Sequence, residues 1–238
     1  MTALADLKVK IFADGADVKG MVEMYARPYI RGFTTNPTLM RKAGISDYRG
    51  FAREVLAQIP DRPISFEVFA DDFAGMEREA REIASWGKNV NVKVPVSNTR
   101  GEATYKLIRT LAAAGIQLNV TAVFTLDQVR DVVAHLDPAV PAYVSVFAGR
   151  IADTGRDPMP HMAAAHTLVH QLPHAELIWA SPRELLNVFH ADAVGCDIIT
   201  VTNDVLAKLS NLGKDLGQFS LETVRMFHDD AVKAGFKL

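Results

Sequence analysis

The sequence predicts a closed (β/α)8 barrel. Eight short β-like runs alternate with amphipathic helical stretches along 238 residues, and polar side chains collect on one face of those runs near their C-terminal ends. In addition, no Gly-x-Gly-x-x-Gly follows a strand and no Walker loop occurs, which weighs against the alternative, a doubly wound open sheet. The expected organisation is one barrel domain over residues 1–238, with an extra C-terminal helix at about 220–235.

The first run covers residues 8–13, and a helix over 17–26 follows it. The second, 32–35, is closed by Asn36-Pro37, with helical segments continuing to about 58. The third is 64–69; the helix over 71–85 starts on acids and sets Phe73, Met76, Ala80 and Ile83 on one face. The fourth is 90–94, followed by a helix over about 99–114 that Gly115 ends. After the fifth, 118–120, Thr125 has the form of a helix N-cap. The sixth, 142–146, leads into a loop rich in Gly and Pro, 148–160, and a helix ending near 171. The seventh is 176–180, where Ser181-Pro182 reads as a serine cap with proline at the first helical position. The eighth is 198–201, and Asn203-Asp204 opens a helix.

Composition narrows the function. With 49% hydrophobic and 23% charged residues and a net charge of -2, the chain is expected to be a soluble globular protein. Its 26 basic and 28 acidic residues form no long single-sign run, so neither nucleic acid nor an anionic membrane is an expected partner; a small molecule is. No window approaches the roughly 18 apolar residues of a membrane span, and the N-terminal residues have no apolar stretch of signal-peptide length. Cys196 stands alone, which excludes an intrachain disulfide and fits a reducing, cytoplasmic setting.

The period of two along the strands singles out a set of inward groups. In Val90-Asn91-Val92-Lys93-Val94 the lysine lies opposite the valines. Burying an ammonium costs several kcal/mol unless it is paired or loses its proton, and a desolvated neutral amine is a nucleophile for carbonyls. The alternative for an isolated Val-Lys-Val is an edge lysine snorkelling to solvent or a structural ion pair. The same alternation turns Ser65 and Glu67 away from Ile64, Phe66 and Val68, and Asp14 away from Ile11 and Ala13. It also sets Thr34 and Asn36 away from Phe33, Asn119 and Thr121 from Val120, Ser145 and Phe147 from Val144 and Val146, and Ser181 from Ile178 and Ala180. Polar residues on seven strands near one barrel end describe a built site rather than ordinary loop polarity.

These segments resemble the transaldolase family, including its short members and the related fructose-6-phosphate aldolases. The resemblance runs through Phe12-Ala13-Asp14, Thr34-Thr35-Asn36-Pro37, Ser65-Phe66-Glu67, Lys93-Val94-Pro95, Asn119-Val120-Thr121, Phe147-Ala148-Gly149-Arg150-Ile151 and Ser181-Pro182-Arg183, in order over nearly the whole chain. It implies a class I aldolase-type barrel, no cofactor, no metal, and cleavage of sugar phosphates through a lysine Schiff base. Under it Lys93 attacks the ketose carbonyl, Asp14 takes the hydroxyl proton, and Glu67 and Thr121 position a water. Thr34 and Asn36 bind substrate hydroxyls, Ser145 and Phe147 shape the pocket, and Arg150, Ser181 and Arg183 hold the phosphate. An ion pair with Asp153 is the alternative role for Arg150.

Glu67 and Phe147 match the transaldolases, whereas the aldolase branch has glutamine and tyrosine there. Phenylalanine cannot protonate an enamine, so transfer of a dihydroxyacetone unit from fructose 6-phosphate or sedoheptulose 7-phosphate to an aldose phosphate is expected. The rivals are an aldolase that releases free dihydroxyacetone and a non-catalytic sugar-phosphate-binding barrel. Pro182 departs from the family's usual phenylalanine, which makes the backbone at Arg183 the least secure part of the match.

His161, His166, His170 and His174 fall at near-helical spacing without partners in ligand spacing, so a solvated helix is expected rather than a metal face. Cys196 reads as a small buried residue. The last helix is apolar enough either to close the barrel bottom or to pack on a second subunit. Short members of the resembled family form pentamers and decamers, so a homo-oligomer is expected.

Overall fold

In the computed structural model, which describes residues 4–237, eight parallel strands pair in sequence order and the eighth returns to the first, closing the barrel. The ends of the expected 1–238 domain, residues 1–3 and 238, lie outside the described residues. After a 3-10 turn at Leu4–Asp6, the barrel begins with β1 (Lys10–Asp14), α1 (Val18–Tyr25), β2 (Ile30–Thr34), α2 (Pro37–Lys42), α3 (Tyr48–Gln58), β3 (Ile64–Glu67) and α4 (Phe73–Ala84). It continues with β4 (Val90–Pro95), α5 (Tyr105–Ala113), β5 (Leu118–Val123), α6 (Leu126–Val133), β6 (Ala142–Val146), α7 (Ala148–Ala152) and α8 (Met159–Val169). β7 (Ala175–Trp179), α9 (Leu186–Ala193), β8 (Ile198–Thr202), α10 (Asn203–Leu206), a 3-10 turn and α11 (Leu216–Lys233) complete it.

Strand alternation divides the interior in two. Ile11, Ala13, Val92, Val94, Val144, Val146, Leu177, Trp179, Ile199 and Val201 face outward into the layer between sheet and helices. A second, smaller cluster of Phe12, Ile178, Ala180 and Ile198 lies inside the barrel, with Tyr143 and Phe147 packed against it. The Phe12 ring meets Tyr143 edge-on at 5.9 Å. Gly32 makes room for it, since a Cβ there would come within 2.5 Å of the ring. This apolar plug fills the lower barrel, and the lumen above it is polar.

Helix starts follow local chemistry. Asp17, Asn36, Asp47 and Asp72 cap α1 to α4 through their side chains, and Thr125 and Gln128 form a full capping box on α6, as its sequence predicts. Several predicted boundaries are corrected. α5 starts at Tyr105 rather than near residue 99, because Ser97 and Ala103 pair as a small antiparallel bridge around Gly101. The expected loop over 148–160 holds α7. Phe73 is 40% exposed, and Gly75 takes a place on the buried face of α4.

Ser181 is not a helix cap. Its φ is +61°, a left-handed conformation that turns the chain away, and α9 begins five residues later with Leu185 at its N-cap. The amides of Arg183 and Glu184 donate instead to Asn187 Oδ1, at 2.8 and 3.3 Å. They are therefore not free helix-start donors for an anion.

α11 starts at Leu216, earlier than expected, and none of its residues is buried, so it does not close the barrel bottom. Leu221, Val224 and Phe227 are exposed along it, the last by 64%. No described helix is long and apolar enough to cross a membrane.

Candidate active site

A cavity of about 500 Å³ opens at the C-terminal end of the strands. All eleven residues singled out in the sequence line it: Asp14, Thr34, Asn36, Glu67, Lys93, Thr121, Ser145, Phe147, Arg150, Ser181 and Arg183. Pairing explains the convergence, because the parallel register sets Glu67 beside Lys93, Thr34 beside Asp14, and Pro95 beside Thr121.

Lys93 is 7% exposed at the bottom of this cavity. Its Nζ donates to the Thr35 carbonyl at 2.9 Å and lies 3.1 Å from Glu67 Oε2, so the amine is held by two acceptors from neighbouring strands. Burial of this kind requires such partners. Thr35 is oriented in turn by its hydroxyl, which donates to the Ser65 carbonyl at 2.9 Å.

Asp14 is the second focus. Thr34 donates to Asp14 Oδ1 at 2.8 Å, and Asn36 Nδ2 approaches both carboxylate oxygens at 3.5 and 3.3 Å. Burial raises the Asp14 carboxyl above the usual aspartate value, against the opposing pull of Lys93, Thr34 and Asn36. Such a carboxyl exchanges its proton above the usual aspartate range, as a general base for a hydroxyl requires.

Beneath these groups Asn119 bridges the lumen. Its Nδ2 donates to Ser65 Oγ at 3.0 Å and its Oδ1 accepts from Ser145 Oγ at 2.7 Å. Thr121 Oγ1 is buried without a hydrogen-bond partner. Such atoms are uncommon, and this one lies beside Glu67 and Lys93 on the cavity wall, where a water or substrate oxygen would satisfy it. The β5 register slips between Val120 and Val123, and Ala122 takes a φ of +57°. With Ser181 it is one of two non-glycine residues in the left-handed region among the described residues, and both line this cavity.

The two arginines differ. Arg150 stacks over the Phe147 ring at 5.6 Å and forms no ion pair among the described residues. Asp153, the alternative partner suggested for it, is taken by Arg183, through Nε at 2.9 Å and through Nη2. Arg183 Nη1 donates to Ser181 Oγ at 3.0 Å. The strand period alone would send Ser181 outward with Trp179, because Ile178 and Ala180 face the lumen; its left-handed turn returns it to the cavity.

The contact between α7 and this turn is close: a Cβ on Gly149 would lie 1.6 Å from the Ser181 carbonyl oxygen. Gly149→Ala is therefore expected to cost about 2–3 kcal/mol and lower Tm by about 5–10 °C, which differential scanning calorimetry measures.

Thr200 and Thr202 also line the cavity, and Thr200 Oγ1 meets Thr34 Oγ1 at 2.5 Å. Sequence reasoning passed over both, although their alternation with Ile199 and Val201 signals two inward hydroxyls. The histidine series is no metal face: His166 and His170 stack at 4.0 Å, His170 pairs with Asp197, and no group of three or more ligating residues among those described is arranged to hold a metal. Cys196 is buried, and burial pushes its thiol up to about 12.

The closed eight-strand parallel barrel with a cavity at the strand C-termini is a TIM barrel. Dihydrodipicolinate synthase from Thermotoga maritima superposes with a TM-score of 0.62 at 10% identity, over 94% of this chain and 81% of that one. The synthase from Rhodopseudomonas palustris gives 0.52 at 14% identity, over 95% and 80%. At these identities the likeness concerns the fold alone.

The chain belongs to the transaldolase/fructose-6-phosphate aldolase family, whose model matches residues 11–238. A probable transaldolase from Thermoanaerobacter sp. (strain X514) is 36% identical over 233 residues, 97% of this chain and 100% of the relative. One from Methanococcus maripaludis (strain C5) is 36% identical over 204 residues, 85% of this chain and 90% of the relative.

Proposed function

We propose that this protein is a transaldolase that moves a dihydroxyacetone unit from a ketose phosphate to an aldose phosphate through a Schiff base on Lys93. The observation that carries this reading is a buried lysine at the floor of a cavity, flanked by Glu67 and facing Asp14, with phenylalanine at position 147.

In the proposed sequence the Lys93 amine adds to the ketose carbonyl carbon. The carbinolamine then loses water to give an iminium, with protons moved through a water held by Glu67 and the Thr121 hydroxyl. Asp14 takes the proton from the hydroxyl on the far carbon of the bond that breaks, the aldose leaves as that oxygen becomes its carbonyl, and the bonding pair passes into the iminium to form an enamine. Thr34, Asn36 and Ser145 hold hydroxyls; Arg150, with Ser181 and Arg183, holds the phosphate. A second aldose accepts the enamine carbon, Asp14 returns its proton, and hydrolysis frees Lys93. Phe147 has no proton to give the enamine, so the three-carbon unit waits for an acceptor.

The test is glyceraldehyde 3-phosphate release from fructose 6-phosphate with and without erythrose 4-phosphate. Release that depends on the acceptor is expected. Equal release without it would make the protein an aldolase.

The setting we infer is a cytoplasmic homo-oligomer working as one barrel per chain. The exposed apolar side chains of α11 support a second copy of the chain as its partner, since that much apolar surface on one helix is unusual for a monomer. Sedimentation is expected to give a multiple of the 26.1 kDa chain mass. A monomer mass would refute this.

A further inference from the structure

We infer that Tyr48, a residue of the outer helix α3 that does not reach the cavity, is a positioning residue for Glu67, whose carboxylate holds Lys93. This rests on the Schiff-base reading above. The Tyr48 hydroxyl accepts from the Glu67 amide at 2.8 Å and donates to the Glu67 carbonyl at 3.0 Å, so one phenol clamps both main-chain groups of that residue. One hydroxyl on the far side of the sheet thus sits behind the residue whose carboxylate contacts the lysine.

The need for such a clamp follows from where Glu67 stands. It is the last residue of β3, whose ladder to β4 ends with the Glu67–Lys93 pair. One further ladder bond, from the Val68 amide to the Lys93 carbonyl at 3.1 Å, holds the chain before it runs toward the half-exposed Phe69, while the amide and carbonyl of Glu67 itself are held by the phenol. Glu67 also borders a separate cleft of about 230 Å³ on the barrel flank, lined by Tyr48, Phe69 and Trp86, so space on that side leaves it room to move. The Tyr48 ring is fixed by edge contacts to Phe66 at 6.1 Å and Trp86 at 5.4 Å, which makes its hydroxyl a rigid anchor. Burial keeps the phenol protonated, as donation to the Glu67 carbonyl requires.

The consequence is specific to one step. The group set by Tyr48 acts in dehydration of the carbinolamine, not in phosphate binding, and loss of sub-ångström positioning slows chemistry without weakening substrate affinity. The test uses the full chain as wild type, Tyr48→Phe and Trp86→Phe. Each is mixed with fructose 6-phosphate, quenched with borohydride at timed intervals, and assayed by peptide mass for reduced adduct on Lys93.

Tyr48→Phe retains the ring packing and is expected to slow adduct formation about 10-fold, with a matching fall in kcat and KM within about twofold. Trp86→Phe, which disturbs the same packing but no hydrogen bond to Glu67, is expected to lower Tm while adduct forms at the wild-type rate. A Tyr48→Phe rate equal to wild type, or an equal slowing in Trp86→Phe, would overturn the inference and leave the Lys93 reading intact. Absence of adduct on wild-type Lys93 would overturn both.

Discussion

Lys93→Met is expected to reduce turnover about 10⁵-fold or more, because no other side chain in the cavity can form the iminium that accepts the bonding pair. Methionine keeps most of the lysine's apolar stem, so the cavity retains its shape, and Arg150 and the Ser181 turn are untouched. Binding of fructose 6-phosphate, followed by calorimetry, is therefore expected to survive within about threefold. This separates the enzyme from a barrel that merely binds sugar phosphates. Turnover that persists in the variant would remove Lys93 from the chemistry.

Asp14→Asn is expected to lower kcat by about 10²–10⁴-fold, the usual contribution of a general base. Its pH behaviour follows from the raised carboxyl. Asp14 must be ionised to accept a proton, so the wild-type rate climbs with pH on a limb displaced above the usual aspartate range, and the variant loses that limb. Stability moves the other way. Between the ordinary aspartate value and its own, folded Asp14 holds a proton that the unfolded chain has released, so wild-type stability falls as pH rises through that window. Above it asparagine avoids the cost of a buried carboxylate, so the variant is expected to melt at least as high as wild type at pH 7, with the difference narrowing on acidification. A limb unchanged in Asp14→Asn would assign the proton transfer to another group.

Much of the barrel and its mouth was legible in the sequence because one rule, side-chain alternation along strands, places both. Lys93, Glu67 and Asp14 stand out for the same reason: each is a charge opposite a run of aliphatic residues on a strand that must be buried. The rule fails where the backbone leaves the strand conformation. Ala122 and Ser181 take left-handed angles that neither residue type announces, and the Ser181-Pro182 pair imitates a helix cap while the chain turns elsewhere. It is also silent about partners distant in sequence. Arg183 finds Asp153 thirty residues back, and Tyr48, on a stretch readable only as helix, reaches Glu67 from outside the sheet. For helix α11 the sequence left two covers open, because apolar residues show that a face is to be covered, not what covers it.

The plug of Phe12, Tyr143, Ile178 and Ile198 packs inside the barrel and so leaves the opening at the strand C-termini as the lumen's door among the described residues. Under the proposed reading, the incoming ketose, the departing aldose, and the water shed and later regained in each cycle would share the opening at the strand C-termini. A sugar seated in that opening is also its stopper. On that reading an acceptor in the opening would keep out the water that would hydrolyse the iminium, so occupancy of the doorway itself would favour transfer over loss to solvent.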